Sequence, residues 1–248
     1  MRLDVIFTPA SLREPEGTVC VVIDALRATS TLVTMFGRGL AEALVAGSLA
    51  EARREAAARR GWLLCGEKRS LPPPGFDYGN SPSELDRIDL RGRRAVMTTS
   101  NGTRALLRAA SCPVVLVGAM LNVSAVAEAV ASRSERGVVL LCAGDRYGRE
   151  FSLEDAFCAG AIAQALRSRA GGRVRLGDGA TAALQLYRSY RGSAQAAFRA
   201  AEHGRSLARA GFARDVAFCA QRDRFAVVPR LRRARDGTLR LSAGERRR

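Results

Sequence analysis

The sequence predicts an α/β protein: a three-layer α/β/α sandwich around a largely parallel or mixed sheet, with a helical segment near the C-terminus. Three observations carry that prediction. Short β-branched apolar runs without polar alternation recur along the chain, Val19-Cys20-Val21-Val22-Ile23 being the clearest. Such runs belong to strands covered on both faces. Stretches of helical spacing separate them, the alternation of an α/β fold. After Gly171-Gly172 the texture changes, and Ala180–Ala220 is helix-forming throughout.

In chain order, the expected strands are Leu3–Phe7, Thr18–Ile23, Glu42–Ala46, Trp62–Cys65, Arg94–Thr98, Val114–Val117, Val138–Cys142 and Phe225–Val228. Ser48-Leu49-Ala50-Glu51 is a capping box opening a helix that Gly61 ends. Thr103–Ala110, Val123–Ser132 and Leu153–Arg169 have helical spacing and composition. We expect one α/β domain over residues 1–229, with 170–220 mostly helical, followed by an Arg-rich tail, 230–248. A hairpin is expected in that tail around Asp236-Gly237 before it frays. At 248 residues and 47% hydrophobic content the chain can bury a substantial core, and it has no internal repeat.

The formal charge of +16 invites a nucleic-acid reading. Of the 40 basic residues only Lys68 is a lysine, however, and the arginines are scattered over helix faces, the bias of a GC-rich coding sequence. Aromatic content is 6%, with no basic–aromatic interleaving to stack bases, so no nucleic-acid partner is expected. The six cysteines form no Cys-x-x-Cys pair, and several sit inside apolar runs as small hydrophobes. Met1-Arg2-Leu3-Asp4 opens a strand rather than a signal peptide, and no apolar stretch reaches the ~20 residues of a membrane span. A reduced, cytoplasmic protein without membrane contact is expected.

Chemistry concentrates at the strand ends, where open α/β sheets bind ligands. The Val19–Ile23 run stops at Asp24, followed by Arg27, Thr29, Ser30 and Thr31. Four further crossings are as polar: Gly66-Glu67, Gly75–Pro82, Thr98–Thr103, and Cys142-Ala143-Gly144 leading into Ser152–Asp155. Asp24 and Glu67 follow buried strands without capping spacing, and such hard oxygen donors suit Mg²⁺. Arg27 can grip a phosphate bidentately, while Ser30, Thr31, Asn101, Gly102 and Thr103 offer hydroxyls and N–H groups for the rest. That set points to metal-assisted phosphoryl transfer, by metal-bound water or a carboxylate nucleophile. Glu154 and Asp155 are candidates too, although Ser152-x-x-Asp155 and Ser81-x-x-Glu84 also fit capping boxes. Asp77, between two glycines, is either a ligand or a turn residue. His203 is either acid/base or a surface helix end, and Cys142 is a thiol at a strand end with nothing nearby to activate it. A P-loop is absent, Asp-x-Asp fails at Leu26, and one histidine with unpaired cysteines argues against zinc.

At these residues the chain resembles the Mg²⁺-dependent 2-phosphosulfolactate phosphatase family (ComB-like proteins) of coenzyme M biosynthesis. The matching pieces are Asp24–Thr31, Gly66-Glu67, Gly75–Glu84, Thr98–Thr103, Gly118 with Asn122, Cys142–Gly144, Ser152–Asp155 and Ala159-Gly160. Toward the end come His203-Gly204, Gly211-Phe212, Asp215, Cys219, Asp223 and Val228-Pro229. The resemblance covers nearly the whole chain; one departure is Ser100 where a threonine is expected. It implies an α/β/α fold and hydrolysis of a phosphorylated 2-hydroxy acid to (R)-3-sulfolactate and phosphate. On this sequence it implies Asp24, Glu67 and Asp77 as metal-site candidates, and Arg27, Asn101 and Thr103 at the phosphate. Asn80 and Ser81 would face the substrate's acidic end. A related ester such as phospholactate, and a basic nucleic-acid-binding protein, are the alternative readings; a homo-oligomer is left open.

Overall fold

The computed structural model describes residues 1–13, 18–133, 137–171 and 173–243. Its strands are β1 (Arg2–Ile6), β2 (Thr18–Ile23), β3 (Glu42–Val45), β4 (Leu63–Gly66), β5 (Arg94–Thr98), β6 (Val114–Gly118), β7 (Gly137–Cys142), β8 (Arg175–Leu176), β9 (Pro229–Arg233) and β10 (Leu239–Ala243). Its helices are α1 (Ala28–Gly37), α2 (Leu49–Ala57), α3 (Pro82–Leu85), α4 (Gly102–Ala109), α5 (Val123–Ala131), α6 (Leu153–Arg169), α7 (Asp178–Ser189), α8 (Ala194–Ala200), α9 (Glu202–Leu207) and α10 (Ala213–Cys219). The α/β class and the mixed sheet expected from the sequence are both present.

Burial explains the unalternated strands. Along β2, Val19, Val21 and Ile23 pack with Leu3, Leu140 and the α6 residues Phe157 and Ile162. Cys20 and Val22 pack on the other face with Leu32, Met35, Met97 and Leu106. No residue of β2 has a solvent face to give to a polar side chain, so its apolar run is continuous. Phe157 stacks against Tyr187, Tyr190 and Phe198 at ring separations of 5.2, 6.1 and 6.2 Å. That aromatic cluster anchors the start of α6, which carries Glu154 and Asp155.

The strands form one sheet in the order β4-β5-β3-β10-β9-β6-β2-β7-β1-β8. Within β4-β5-β3 and within β6-β2-β7-β1-β8 all pairings are parallel. Antiparallel pairings join β6 to β9, β9 to β10 and β10 to β3, so the two parallel halves run in opposite directions. Twist reconciles this with a common site. Five strand-to-strand steps separate β2 from β5, and ~20–25° per step turns the halves by roughly 100–125°. The C-terminal ends of the two halves are thereby brought toward one crevice.

The C-terminal segment corrects the expected organisation. Residues set apart as an Arg-rich tail form β9 and β10 at the centre of the sheet, and the hairpin around Asp236-Gly237 is what joins its halves. The strand expected at Phe225–Val228 does not form; pairing starts at Pro229. The reason lies in alternation. Leu231, Leu239 and Leu241 are buried, while Arg230 and Arg240 next to them are only partly so. Arginine stems lie along apolar surface, and the Arg240 head pairs with Glu42 and Asp236, so composition reads as tail where period two reads as strand. Residues 244–248 lie outside the described residues. Among the described residues no helix is long and apolar enough to cross a membrane.

Candidate active site

Asp24 sits where β2 meets α1, in a turn stitched by short hydrogen bonds. Its backbone N–H donates to Thr29 Oγ1 at 2.9 Å, and the Thr29 hydroxyl donates back to the Asp24 carbonyl at 2.8 Å. Asp24 Oδ1 accepts the Ala28 N–H at 3.0 Å, so this carboxylate does serve the start of α1. Gly102 lies against it from α4: a Cβ there would stand 2.5 Å from Ala28 Cβ and 2.7 Å from Asp24 Oδ2. Burial pushes the Asp24 carboxyl up to about 7; the Ala28 N–H opposes the rise, and the Glu67 and Asp145 charges add to it.

Glu67 follows β4 and clamps two loops. Its Oε1 accepts the Ser100 N–H at 2.6 Å and its Oε2 the Ser70 N–H at 2.9 Å. The close strand contact behind it requires glycine, since a Cβ on Gly66 would lie 2.0 Å from the Thr98 carbonyl oxygen. After β5, the Thr99 and Thr103 hydroxyls each accept the other residue's N–H, at 3.1 and 3.0 Å. Asn101 bridges to the loop after β7: its Oδ1 accepts the Tyr147 N–H at 2.8 Å and its Nδ2 donates to Asp145 Oδ1 at 3.4 Å.

These segments enclose a cavity of 190 Å³. Asp24, Leu26 and Arg27 line it after β2; Glu67, Arg69 and Ser70 after β4; Thr99, Ser100 and Asn101 after β5; Asp145, Arg146 and Tyr147 after β7. Asn80 and His203 complete the wall. Asn80 Oδ1 is buried there with no hydrogen-bond partner, an acceptor waiting for a donor or a cation. Burial lowers the His203 pKa, so the imidazole is neutral at pH 7.

Arg27 is engaged differently from the expected phosphate fork. Nη1 donates to Asp215 Oδ2 at 2.7 Å, Nη2 donates to the Ser70 carbonyl at 2.7 Å, and the guanidinium stacks 4.1 Å from the Phe212 ring centre. Asp215 Oδ1 accepts the Ser81 and Ser83 hydroxyls and the Ser83 N–H at 2.8, 2.5 and 3.1 Å. Ser81 thus caps α3 and serves Asp215 rather than lining the cavity.

Several expected residues stand apart. Ser30 donates to the Ala25 carbonyl at 2.8 Å, Thr31 is fully buried, and neither lines the cavity. The Ser30 hydroxyl closes its turn, the alternative use of such residues, while Thr31 Oγ1 is buried without a hydrogen-bond partner. The Thr103 hydroxyl is spent on the Thr99 loop, donating to its carbonyl at 2.8 Å. Asp77 is exposed and accepts the Leu64 N–H at 2.7 Å, which pins its loop to β4, and it is not among the residues that line the cavity. Cys142 is fully buried, and burial drives its thiol well above the usual range, which leaves no nucleophile there. Asp155 joins Ala25 N–H at 2.7 Å to Gly144 N–H at 3.1 Å, tying the β2 and β7 loops together behind the cavity. Burial raises Asp155 well above the carboxylate range and Glu154 to about 7.

Sequence reasoning passed over Asp145 and the anchoring role of Asp215. Asp145 was open to the argument used for Asp24 and Glu67, a carboxylate just past a buried strand. Asp215 carries no such signal, because its partner Arg27 lies 188 residues away.

An α/β/α sheet whose strand ends bring carboxylates, an arginine and backbone N–H groups to one small polar cavity defines a phosphate-ester hydrolase class of site. The sequence matches the family described as 2-phosphosulpholactate phosphatase over residues 6–234, and the chain belongs to that family of phosphoric monoester hydrolases. A relative from Thermotoga petrophila is 38% identical over 92% of this chain and 95% of its own length. One from Deinococcus radiodurans is 40% identical over 98% and 100%, and one from Gloeobacter violaceus 37% over 93% and 95%. All three carry the name "Probable 2-phosphosulfolactate phosphatase".

Proposed function

We propose that this protein hydrolyses 2-phosphosulfolactate to (R)-3-sulfolactate and phosphate with Mg²⁺, in the cytoplasm and on the way to coenzyme M. The observation that carries the reading is the meeting of Asp24, Glu67, Asn101 and Asp145, from four strand ends, at the cavity that Arg27 and His203 also line. Such a cavity suits a small phosphorylated acid.

The donor set is one that suits a magnesium ion holding few protein ligands. Among the described residues no three His, Cys, Asp or Glu side chains group as a metal cluster. A cation that keeps most of its water and takes few protein oxygens suits Asp24 and the unpartnered Asn80 Oδ1, with the Glu67 charge close behind them. When bound there, Mg²⁺ would neutralise charge on the phosphoryl group and lower the pKa of water.

The chain's own groups do the rest. Water adds to phosphorus, the bond from phosphorus to the ester oxygen breaks, and the leaving alkoxide takes a proton. Neutral His203 is the acid/base within the cavity: it takes a proton from the attacking water and, as the imidazolium so formed, gives it to the leaving alkoxide oxygen. The N–H groups at the start of α4 and the remaining Arg27 protons favour the negative phosphoryl oxygens. Glu67 and Asp155 are positioning residues that hold the loops carrying these donors.

The test is phosphate release from 2-phosphosulfolactate and from phospholactate by purified protein, with Mg²⁺ and then with EDTA. Metal-dependent release that favours the sulfonated ester supports the reading. Folded protein that releases phosphate from neither ester with Mg²⁺ present refutes it, and a preference for phospholactate moves the substrate to the non-sulfonated acid.

A further inference from the structure

Among the described residues, one cation that lines the cavity has no counter-charge. Arg27 is paired with Asp215 at 2.7 Å, and Arg146 Nε lies 3.1 Å from Glu150. Arg69 lines the same cavity and makes no ion pair or side-chain hydrogen bond among the described residues.

Its backbone shows that this placement is built. Arg69 and Ser70 have φ of 53° and 69°, the two left-handed positions of a tight hairpin closed by the Lys68–Leu71 pair. Asn and Gly suit such positions, and a long side chain is uncommon there. The turn is nevertheless held from four sides. Lys68 and Leu71 exchange backbone hydrogen bonds at 2.9 and 3.3 Å. Glu67 accepts the Ser70 N–H at 2.9 Å, and Arg27 donates to the Ser70 carbonyl at 2.7 Å. An uncommon conformation so over-determined, at the mouth of a cavity, points to function.

We propose that Arg69 is the specificity-determining residue that grips the second anionic group of the substrate, the carboxylate or sulfonate carried beyond the phosphate ester. The inference rests on the phosphatase reading of this cavity and adds to it. Of the other charged walls Glu67 and Asp145 repel a distal anion, Arg146 is paired with Glu150, and the Arg27 fork is already committed. A guanidinium presents paired N–H donors that match two oxygens of either anion. A phosphate ester of an uncharged alcohol offers Arg69 nothing to hold.

The experiment compares wild type, Arg69→Gln and Arg69→Lys on 2-phosphosulfolactate and on phenyl phosphate. Loss of a charge-assisted pair weakens binding roughly 10- to 100-fold. The expected result for Arg69→Gln is therefore a KM for the acid ester raised by about that factor. The change in kcat should be much smaller, the effect on phenyl phosphate slight, and recovery in Arg69→Lys partial. Equal losses in kcat/KM on both esters, or an unchanged KM for the acid ester, would overturn the proposal. If wild type hydrolyses neither ester, the phosphatase reading fails on its own, and calorimetric titration with 3-sulfolactate decides the role of Arg69. Binding weakened to the same degree in Arg69→Gln supports the anion grip, and equal affinity removes it.

Discussion

Replacing Asp215 by alanine isolates the ion pair that joins the two ends of the chain. Arg27 and Asp215 side chains are 2% and 1% exposed and 2.7 Å apart. Removing the carboxylate leaves a guanidinium buried without its counter-charge, a change that costs about 3–5 kcal/mol. The Ser70 carbonyl and the Phe212 ring still hold Arg27, so the lower end applies, about 3 kcal/mol. The Ser81 and Ser83 hydroxyls lose their acceptor too; the half-buried Ser83 can turn to water, and the buried Ser81 hydroxyl keeps Ser83 Oγ at 3.5 Å. Against a total of roughly 5–15 kcal/mol this is a large loss, and at this chain length it lowers Tm by roughly 6–12 °C.

Urea unfolding measures the loss, and the slope of the transition must stay unchanged for it to be read as stability. The decisive arm is the double variant Arg27→Met/Asp215→Ala. Removing both charges leaves no buried ion, so the double variant should be more stable than Asp215→Ala alone. A cost below about 1 kcal/mol for the single change, where burial of an unpaired charge demands several, would refute the reasoning. So would a double variant no more stable than the single.

Three further outcomes are expected. Gly102→Ala forces a methyl to within 2.7 Å of Asp24 Oδ2, so it should destabilise by about 1–3 kcal/mol and reduce phosphate release still more; wild-type kinetics together with an unchanged Tm would show that the contact is not needed. Asp24 and Glu154 carboxyls raised to about 7 bind protons in the folded state that the unfolded chain, with carboxyls near ~4, has already released. Metal-free stability should therefore fall as pH rises from about 4 to about 7, and Mg²⁺ added at about pH 7.5 should raise Tm and release protons; a metal-free Tm that climbs across that window contradicts the burial. Deleting 230–248 removes the strands between β3 and β6 and bares both edges, so the shortened chain should lose its cooperative transition in circular dichroism. A cooperative, soluble product would mean that each half-sheet folds without the hairpin.

Much of the fold was legible because a strand buried on both faces must end abruptly at a polar residue, as Ile23 does at Asp24. The same logic found Glu67 and the Thr98–Thr103 loop. It failed where one residue type has two uses. Serine and threonine after Asp24 read equally as phosphate donors or as turn closers, and Ser30 proves to close its turn. Arg27 reads as a phosphate fork until Asp215, far along the chain, is folded onto it. The Arg-rich C-terminal strands were hidden by composition, since the alternation of Leu231, Leu239 and Leu241 with arginines is weaker than the charge count around it.

The acid residues of this cavity divide by what their oxygens meet. Asp155 spends both oxygens on backbone N–H groups, of Ala25 and Gly144, and both Glu67 oxygens accept backbone N–H groups across two loops. Asp24 Oδ1 holds Ala28, while Oδ2 faces the start of α4. A carboxylate that bonds backbone on both oxygens sets the position of a loop and loses its effect through geometry when mutated. One with an oxygen left toward the cavity acts on what the cavity holds. By that criterion Asp24 is the residue whose loss should remove metal and substrate binding while leaving loop positions in place. Asp155→Asn should loosen the β2 and β7 loops together, because only half of its amide can still accept the two N–H bonds that join them.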